Sequence, residues 1–145
     1  MQVRDILKDK GRNIVAIGDG ATLAEAARTL ADHRIGAVIV QALGGTLVGI
    51  LSERDLVRAI AEDGSLALSR SVAAYMTRNV ATCTENDTIE GLMEMMTLGR
   101  FRHVPVLDER HKLSGLISIG DVVKSRIAET VSEANSLRDY ISATG

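Results

Sequence analysis

Gly49-Ile50-Leu51-Ser52-Glu53-Arg54-Asp55 and Gly115-Leu116-Ile117-Ser118-Ile119-Gly120-Asp121 share one pattern: glycine, two apolar residues, serine, two variable residues, aspartate. Each closes a short apolar run of strand character and opens a run with helical spacing. A hydroxyl at a strand end and a carboxylate three residues later, inside the first helical turn, can converge on one small polar ligand. The two stretches lie 66 residues apart, and working outward from them at that offset exposes a repeat. Thr22 falls on Thr88, Arg34 on Arg100, Val38 on Val104, Val40 on Val106, Leu47 on Leu113 and Val57 on Val123. With the Gly, Ser and Asp pairs this makes nine identities in 36 ungapped positions, several times chance, so the chain is an internal duplication.

Each copy reads strand, helix, strand, strand, helix. The first strands are Ile14 to Ile17 and Val80 to Cys83. The helices after them carry apolar residues at helical spacing: Leu23, Ala26, Ala27 and Leu30, then Ile89, Leu92, Met93 and Met96. Thr22 with Glu25, and Asp87 with Glu90, read as capping boxes. Paired strands follow at Ala37 to Val40 with Leu47 to Leu51, and at Val104 to Leu107 with Leu113 to Ile117. A second helix closes each copy, near Glu53 to Glu62 and Ile119 to Ala128. The expected fold class is therefore mixed α/β (α+β), with two small sheets, helices outside and a pseudo-two-fold relation between copies. The first repeat is expected over 1–62, a Gly/Ser-containing linker over 63–71 and the second repeat over 72–128. An amphipathic C-terminal helix or tail follows over 129–145, its Val131, Ala134, Leu137 and Ile141 needing a surface to dock on.

Composition narrows the function. The chain has 145 residues, 46% hydrophobic and 25% charged, with a formal net charge of −2 and both signs interspersed. That balance argues against a general nucleic-acid or anionic-membrane binder. The longest uncharged stretch, Ile35 to Leu51, is broken by Gln41, Gly44, Gly45 and Thr46, which marks strand–turn–strand and no membrane span. The opening residues carry Asp5 and Asp9 and lack an apolar run, so no signal peptide is expected. The one cysteine, Cys83, fits a reducing compartment, and the expected location is cytoplasmic. Three histidines (His33, His103, His111) show no metal-ligand spacing and Cys83 has no evident base, so catalysis is not expected. Gly18-Asp19-Gly20 follows a strand, but Leu23 stands where a dinucleotide-binding fingerprint wants a small residue, and no βαβ array follows.

Two copies of β-α-β-β-α, each ending Gly-apolar-apolar-Ser-x-x-Asp, resemble tandem cystathionine-β-synthase (CBS) domains, the Bateman module. Arg100-Phe101-Arg102-His103-Val104-Pro105-Val106-Leu107-Asp108 and Ser52-Glu53-Arg54-Asp55-Leu56 are similar to segments typical of that family. So are the lead-ins Val3-x-Asp5-Ile6-Leu7 and Val72-x-x-Tyr75-Met76-Thr77. The resemblance spans residues 3 to 128. It implies regulatory binding of an adenosine-containing ligand (AMP, ADP, ATP, or else NAD or S-adenosylmethionine) and pairing of modules as homodimers. A ligand-free structural pairing domain is the other reading. With no effector domain in this sequence, a stand-alone sensor would pass its signal to an unidentified effector protein.

The residue-level expectations follow from both readings. Asp55 and Asp121 are placed to accept hydrogen bonds from ribose hydroxyls; an acidic residue in a first turn is also a helix cap, and its recurrence in both copies favours the ligand. Ser52 and Ser118 sit at helix starts suited to a phosphate, or cap them. Arg100 and Arg102 are expected on one face of an extended strand with His103 on the other. The resemblance implies that Arg102 and His103 reach phosphates. The first copy has Gly36 and Ala37 there and keeps only Arg34, so the two sites should be unequal. The base is expected against the first strands. The resemblance further implies composite pockets, with Ile14, Ile17, Ile35 and Gly36 contributing beside Ile117, Ser118 and Asp121, and Thr82 contributing beside Ser52 and Asp55. Gly49 and Gly115 either permit close backbone approach or ease a strand kink.

Overall fold

The computed structural model describes residues 1–144. The chain runs α1 (Val3–Lys10), β1 (Ala16–Gly18), α2 (Leu23–His33), β2 (Ala37–Gln41), β3 (Leu47–Ser52) and α3 (Glu53–Asp63). The second half runs β4 (Cys83–Thr84), α4 (Ile89–Gly99), β5 (His103–Leu107), β6 (Leu113–Ser118) and α5 (Ile119–Thr144). The strands form two three-stranded sheets, β1-β2-β3 and β4-β5-β6. In each, the first strand pairs parallel with the second and the second antiparallel with the third. The registers are equivalent in detail: Ala37 lies opposite Ser52 as His103 lies opposite Ser118, and a bulge follows Val40 as another follows Val106. The mixed α+β duplication expected from the sequence is the fold.

The chain divides into two compact units, and the division crosses the repeat boundaries. One unit is residues 13–81; the other joins Met1–Arg12 to the chain from Thr82 onward. Each lead-in therefore packs in the unit of the other copy. Val3, Ile6 and Leu7 of α1 are buried with Cys83, Ile89, Leu92, Val104 and Ile117. Val72 and Met76 are buried with Leu23, Leu30, Val38, Val40 and Leu51. This exchange gives the two glycines their purpose. A Cβ on Gly115 would lie 2.5 Å from Leu7 Cδ2, and one on Gly49 would lie 2.7 Å from Met76 Sδ and 2.8 Å from the Thr77 carbonyl oxygen. Leu7 and Met76 occupy the same place in the two lead-in patterns, so each glycine admits close approach of the chain itself.

Several local expectations change. The cap of α4 is Thr88, whose hydroxyl accepts from the Gly91 amide, while Asp87 accepts from the Thr84 amide and stabilises the turn before the helix. The Thr22–Glu25 capping box of α2 forms as expected. Residues 63–71 are more than a connector: a 3-10 turn spans Gly64–Ser69 and places Ala67, wholly buried, in the core of its unit. The stretch from 119 to 144 is one 26-residue helix, so the expected separate C-terminal helix is the continuation of α5.

Candidate ligand-binding site

Both Gly-apolar-apolar-Ser-x-x-Asp corners fold the same way for the same reason. The serine leaves the sheet in extended conformation and its hydroxyl accepts from the amide three residues on. The aspartate carboxylate returns the favour to the serine amide, closing a capping box. At the first corner the Asp55 amide donates to Ser52 Oγ at 3.3 Å and the Ser52 amide to Asp55 Oδ2 at 2.9 Å. At the second the Asp121 amide donates to Ser118 Oγ at 3.2 Å and the Ser118 amide to Asp121 Oδ2 at 2.9 Å. The capping alternative is thus realised in both copies.

The corners are not twins beyond the cap. Asp55 is the one buried charged residue among those described, 7% exposed. The Ser52 hydroxyl donates to its Oδ2, Thr77 Oγ1 lies 3.4 Å from both carboxylate oxygens, and Arg58 sits 3.9 Å from Oδ1. With Ser52, that carboxylate ties β3 and α3 to the Thr77 lead-in. Asp121 is more open, and Lys10 Nζ, at the end of α1, donates to its Oδ2 at 2.7 Å and to the Leu116 carbonyl at 2.8 Å. The Lys10 ammonium and the Ser118 amide both donate to Oδ2. Burial by itself would raise the Asp121 carboxyl, but the Lys10 ammonium and the Ser118 amide outweigh it and hold the group below the ordinary carboxylate range. At neutral pH the corner presents an ionised, oriented acceptor.

The cationic residues join this second corner through the backbone. The Arg102 carbonyl accepts from the Ile119 amide at 2.8 Å, and His103 lies across from Ser118 in the sheet. The backbones of Arg102 and His103 thus flank the Ser118–Asp121 cap, with Arg102 exposed and His103 half-buried. Gly36 and Glu53 make the same carbonyl–amide bond in the first copy at 3.0 Å, without cationic side chains. Arg100 departs from expectation. It is the left-handed C-cap of α4 at φ 54°, and Arg102 sits at a bend just before β5, so neither lies on the strand and they share no strand face; Arg34 caps α2 in the same conformation as Arg100. The Arg34/Arg100 identity reflects equivalent helix ends.

The remaining expected residues sort by depth. Ile117 is fully buried in the core, and its side chain is committed there. Ile17 pairs with Val40 and packs on the other core, about 10 Å along the strands from the level of Ser52. Ile14 and Gly36 lie at the Ser52 end of their sheet and are half-buried, as is Ile35, which packs on the core. Thr82, half-buried, immediately precedes β4 in the unit that holds Asp121. Two polar residues at the corners escaped sequence reasoning: Lys10 and Thr77. Neither has a spacing signal, because each reaches its aspartate from a lead-in placed by tertiary packing.

Compared with known proteins, the chain matches the CBS domain family over residues 3–62 and 72–128. It belongs to that family, as a tandem pair of CBS domains. Among solved structures it is similar to a CBS-domain containing protein from Agrobacterium tumefaciens, with 51% identity and a TM-score of 0.83 over 86% of this chain and 98% of that one. It is also similar to the CBS domain pair of protein MJ0100 in complex with 5-methylthioadenosine and S-adenosyl-L-methionine, at 25% identity and a TM-score of 0.79. That match covers 89% of this chain and 98% of the other. A CBS domain protein from Pyrobaculum aerophilum complexed with AMP aligns at 28% identity and a TM-score of 0.75, over 83% and 89% of the two chains. No helix among the described residues is long and apolar enough to cross a membrane.

Proposed function

We propose that this chain is a regulatory module that binds an adenosine-containing small molecule at the Ser118–Asp121 corner. The observation carrying this reading is the difference between the two carboxylates: Asp55 is buried, whereas Asp121 is ionised, 22% exposed and positioned by Ser118 and Lys10. A ribose hydroxyl can donate to such an acceptor, and a hydrogen bond to a charged acceptor is worth roughly 1.5–3 kcal/mol. Arg102 and His103 beside the cap suit an anionic substituent, which favours AMP or a related nucleotide over the S-adenosyl compounds. The ligands named for the similar structures, AMP, 5-methylthioadenosine and S-adenosyl-L-methionine, have adenosine chemistry in common. Asp121 lies in the first turn of α5, so occupancy is felt directly by the longest helix of the protein. An effector protein or a change in self-association would read that response.

Isothermal titration with AMP, ATP, NAD, 5-methylthioadenosine and S-adenosylmethionine tests the reading. AMP should bind, and Arg102→Ala should weaken AMP more than the uncharged thioadenosine. Absence of binding by every one of these at millimolar concentration would leave a structural pairing domain as the better account.

A further inference from the structure

A cavity of about 350 Å³ lies at the far end of the β4-β5-β6 sheet from the Asp121 corner. Ser118 stands level with His103 at the start of β5, whereas the cavity opens beside Leu107 at its end, about 13 Å further along the strand. Its volume falls at the small end of the range for ligand pockets. Three parts of one unit wall it: α1 with the residues just after it, the turn at 84–86, and the start of the turn after β5.

The two sides carry opposite charge. Arg4 and Lys8, one turn apart on α1, and Arg12 just beyond its end line the cavity. Arg4 donates to Asn86 Oδ1 and Arg12 pairs with Glu85, so both guanidiniums are engaged. The Lys8 ammonium between them has no hydrogen bond or ion pair among the described residues. On the other side Asp108 Oδ1 accepts from the Arg110 and Lys112 amides at 2.8 and 2.9 Å. The Glu109 carboxylate, next to it, has no partner among the described residues.

The duplication supplies an internal control. Both lead-ins dock through the same backbone bond, the Val3 amide donating to the Asp87 carbonyl at 2.9 Å and the Val72 amide to the Ala21 carbonyl at 2.8 Å. By that equivalence Arg4 corresponds to Ala73. At the 66-residue offset Asn86, Asp108 and Glu109 correspond to Gly20, Ala42 and Leu43. The same fold forms in the first copy without these four polar side chains, so folding does not require them at the cavity.

Charge also selects the ligand. A simple anion would meet Asp108 and Glu109, and a simple cation would meet Arg4, Lys8 and Arg12. A small zwitterion satisfies both sides, and hydrogen bonds between ionised groups are the strong ones. We propose that this cavity binds a free amino acid, its carboxylate received by Lys8 and its ammonium by Glu109. The site stands independently of what the Asp121 corner binds.

A thermal-shift screen of the full chain against the protein L-amino acids at millimolar concentration, then titration calorimetry of the strongest, tests the assignment. That amino acid should raise Tm, because it binds only the folded chain. It should bind at least roughly tenfold more tightly than its counterparts lacking the ammonium or the carboxylate. Lys8→Gln and Glu109→Gln should each weaken it by roughly the same factor. Both side chains are exposed, so the ligand-free Tm should stay that of the parent. A screen in which no amino acid shifts Tm or binds overturns the proposal. Equal binding by the ammonium-free counterpart makes the cavity a plain anion site and also overturns it, as does a Lys8→Gln chain that binds like the parent.

Discussion

Replacing Asp55 and Asp121 separately by alanine should split stability from binding, although the sequence presents them as equivalents. Asp55→Ala removes the acceptor for the Ser52 amide at 2.9 Å and for its hydroxyl at 3.1 Å, in a site where the carboxylate is 7% exposed. Losing a helix cap costs about 0.5–2 kcal/mol, and a part-buried amide left without a partner adds about 1 kcal/mol. The sum, about 1.5–3 kcal/mol, corresponds to a fall in Tm of roughly 6–12 °C at about 4 °C per kcal/mol for a chain of this size. Asp121→Ala also loses a cap bond, but its Lys10 pair is partly solvated and contributes about 1 kcal/mol or less. Its Tm should fall by roughly half as much. Binding should order the two the other way. Asp121→Ala gives up a charged hydrogen bond to the ligand and should weaken AMP by one to two orders of magnitude. Asp55→Ala, measured well below its Tm, should stay within about threefold of the parent by the same scale. Scanning calorimetry and titration calorimetry on the same samples read both quantities. If Asp55→Ala loses AMP while Asp121→Ala keeps it, the assignment of the open corner is wrong.

Three further outcomes follow from the same geometry. Gly49→Ala should destabilise more than Gly115→Ala, by about 2–3 against 1–2 kcal/mol in urea unfolding. At Gly49 the obstruction includes the Thr77 carbonyl, which the Ile50 amide holds at 3.0 Å, whereas at Gly115 it is the flexible end of Leu7. Adding Leu7→Val to Gly115→Ala should recover part of the loss, and no recovery would discount that contact. The Asp121 carboxyl is lowered in the folded chain, so its stabilisation is complete above the ordinary aspartate value, near pH 4, and disappears as pH falls through the folded value. The stability gap between parent and Asp121→Asn should therefore be constant from pH 7 to about pH 5 and close on further acidification; a gap that widens in acid would reverse the assignment. Burial first, then the Asp87 charge, pushes the Cys83 thiol up to about 12, and the side chain is 3% exposed. Thiol reagents at pH 8 should label Cys83 only as fast as its unit opens, so labelling at the rate of a free thiol would show that the core around it is loose.

The duplication, the order of elements and the place of both corners are legible along the chain. These rest on local rules: apolar periodicity, cap chemistry within three residues, and an ungapped offset that carries Ser52 onto Ser118 and Asp55 onto Asp121. The sequence also shows that only the second copy carries Arg102 and His103. Tertiary structure decided what local rules do not reach. Lys10 meets Asp121 across 111 residues, and Thr77 meets Asp55 only because each lead-in packs in the unit of the other copy. That exchange buries one carboxylate and leaves the other 22% exposed, although the two motifs read alike. The same limit applies to Arg100, where a strand was expected and a left-handed helix end was found: repeat identity recorded a shared backbone turn, and a sequence comparison does not separate that from shared chemistry. Capping is settled within one turn of chain, whereas the exposure and partners of a carboxylate are settled by whatever distant segment folds over it.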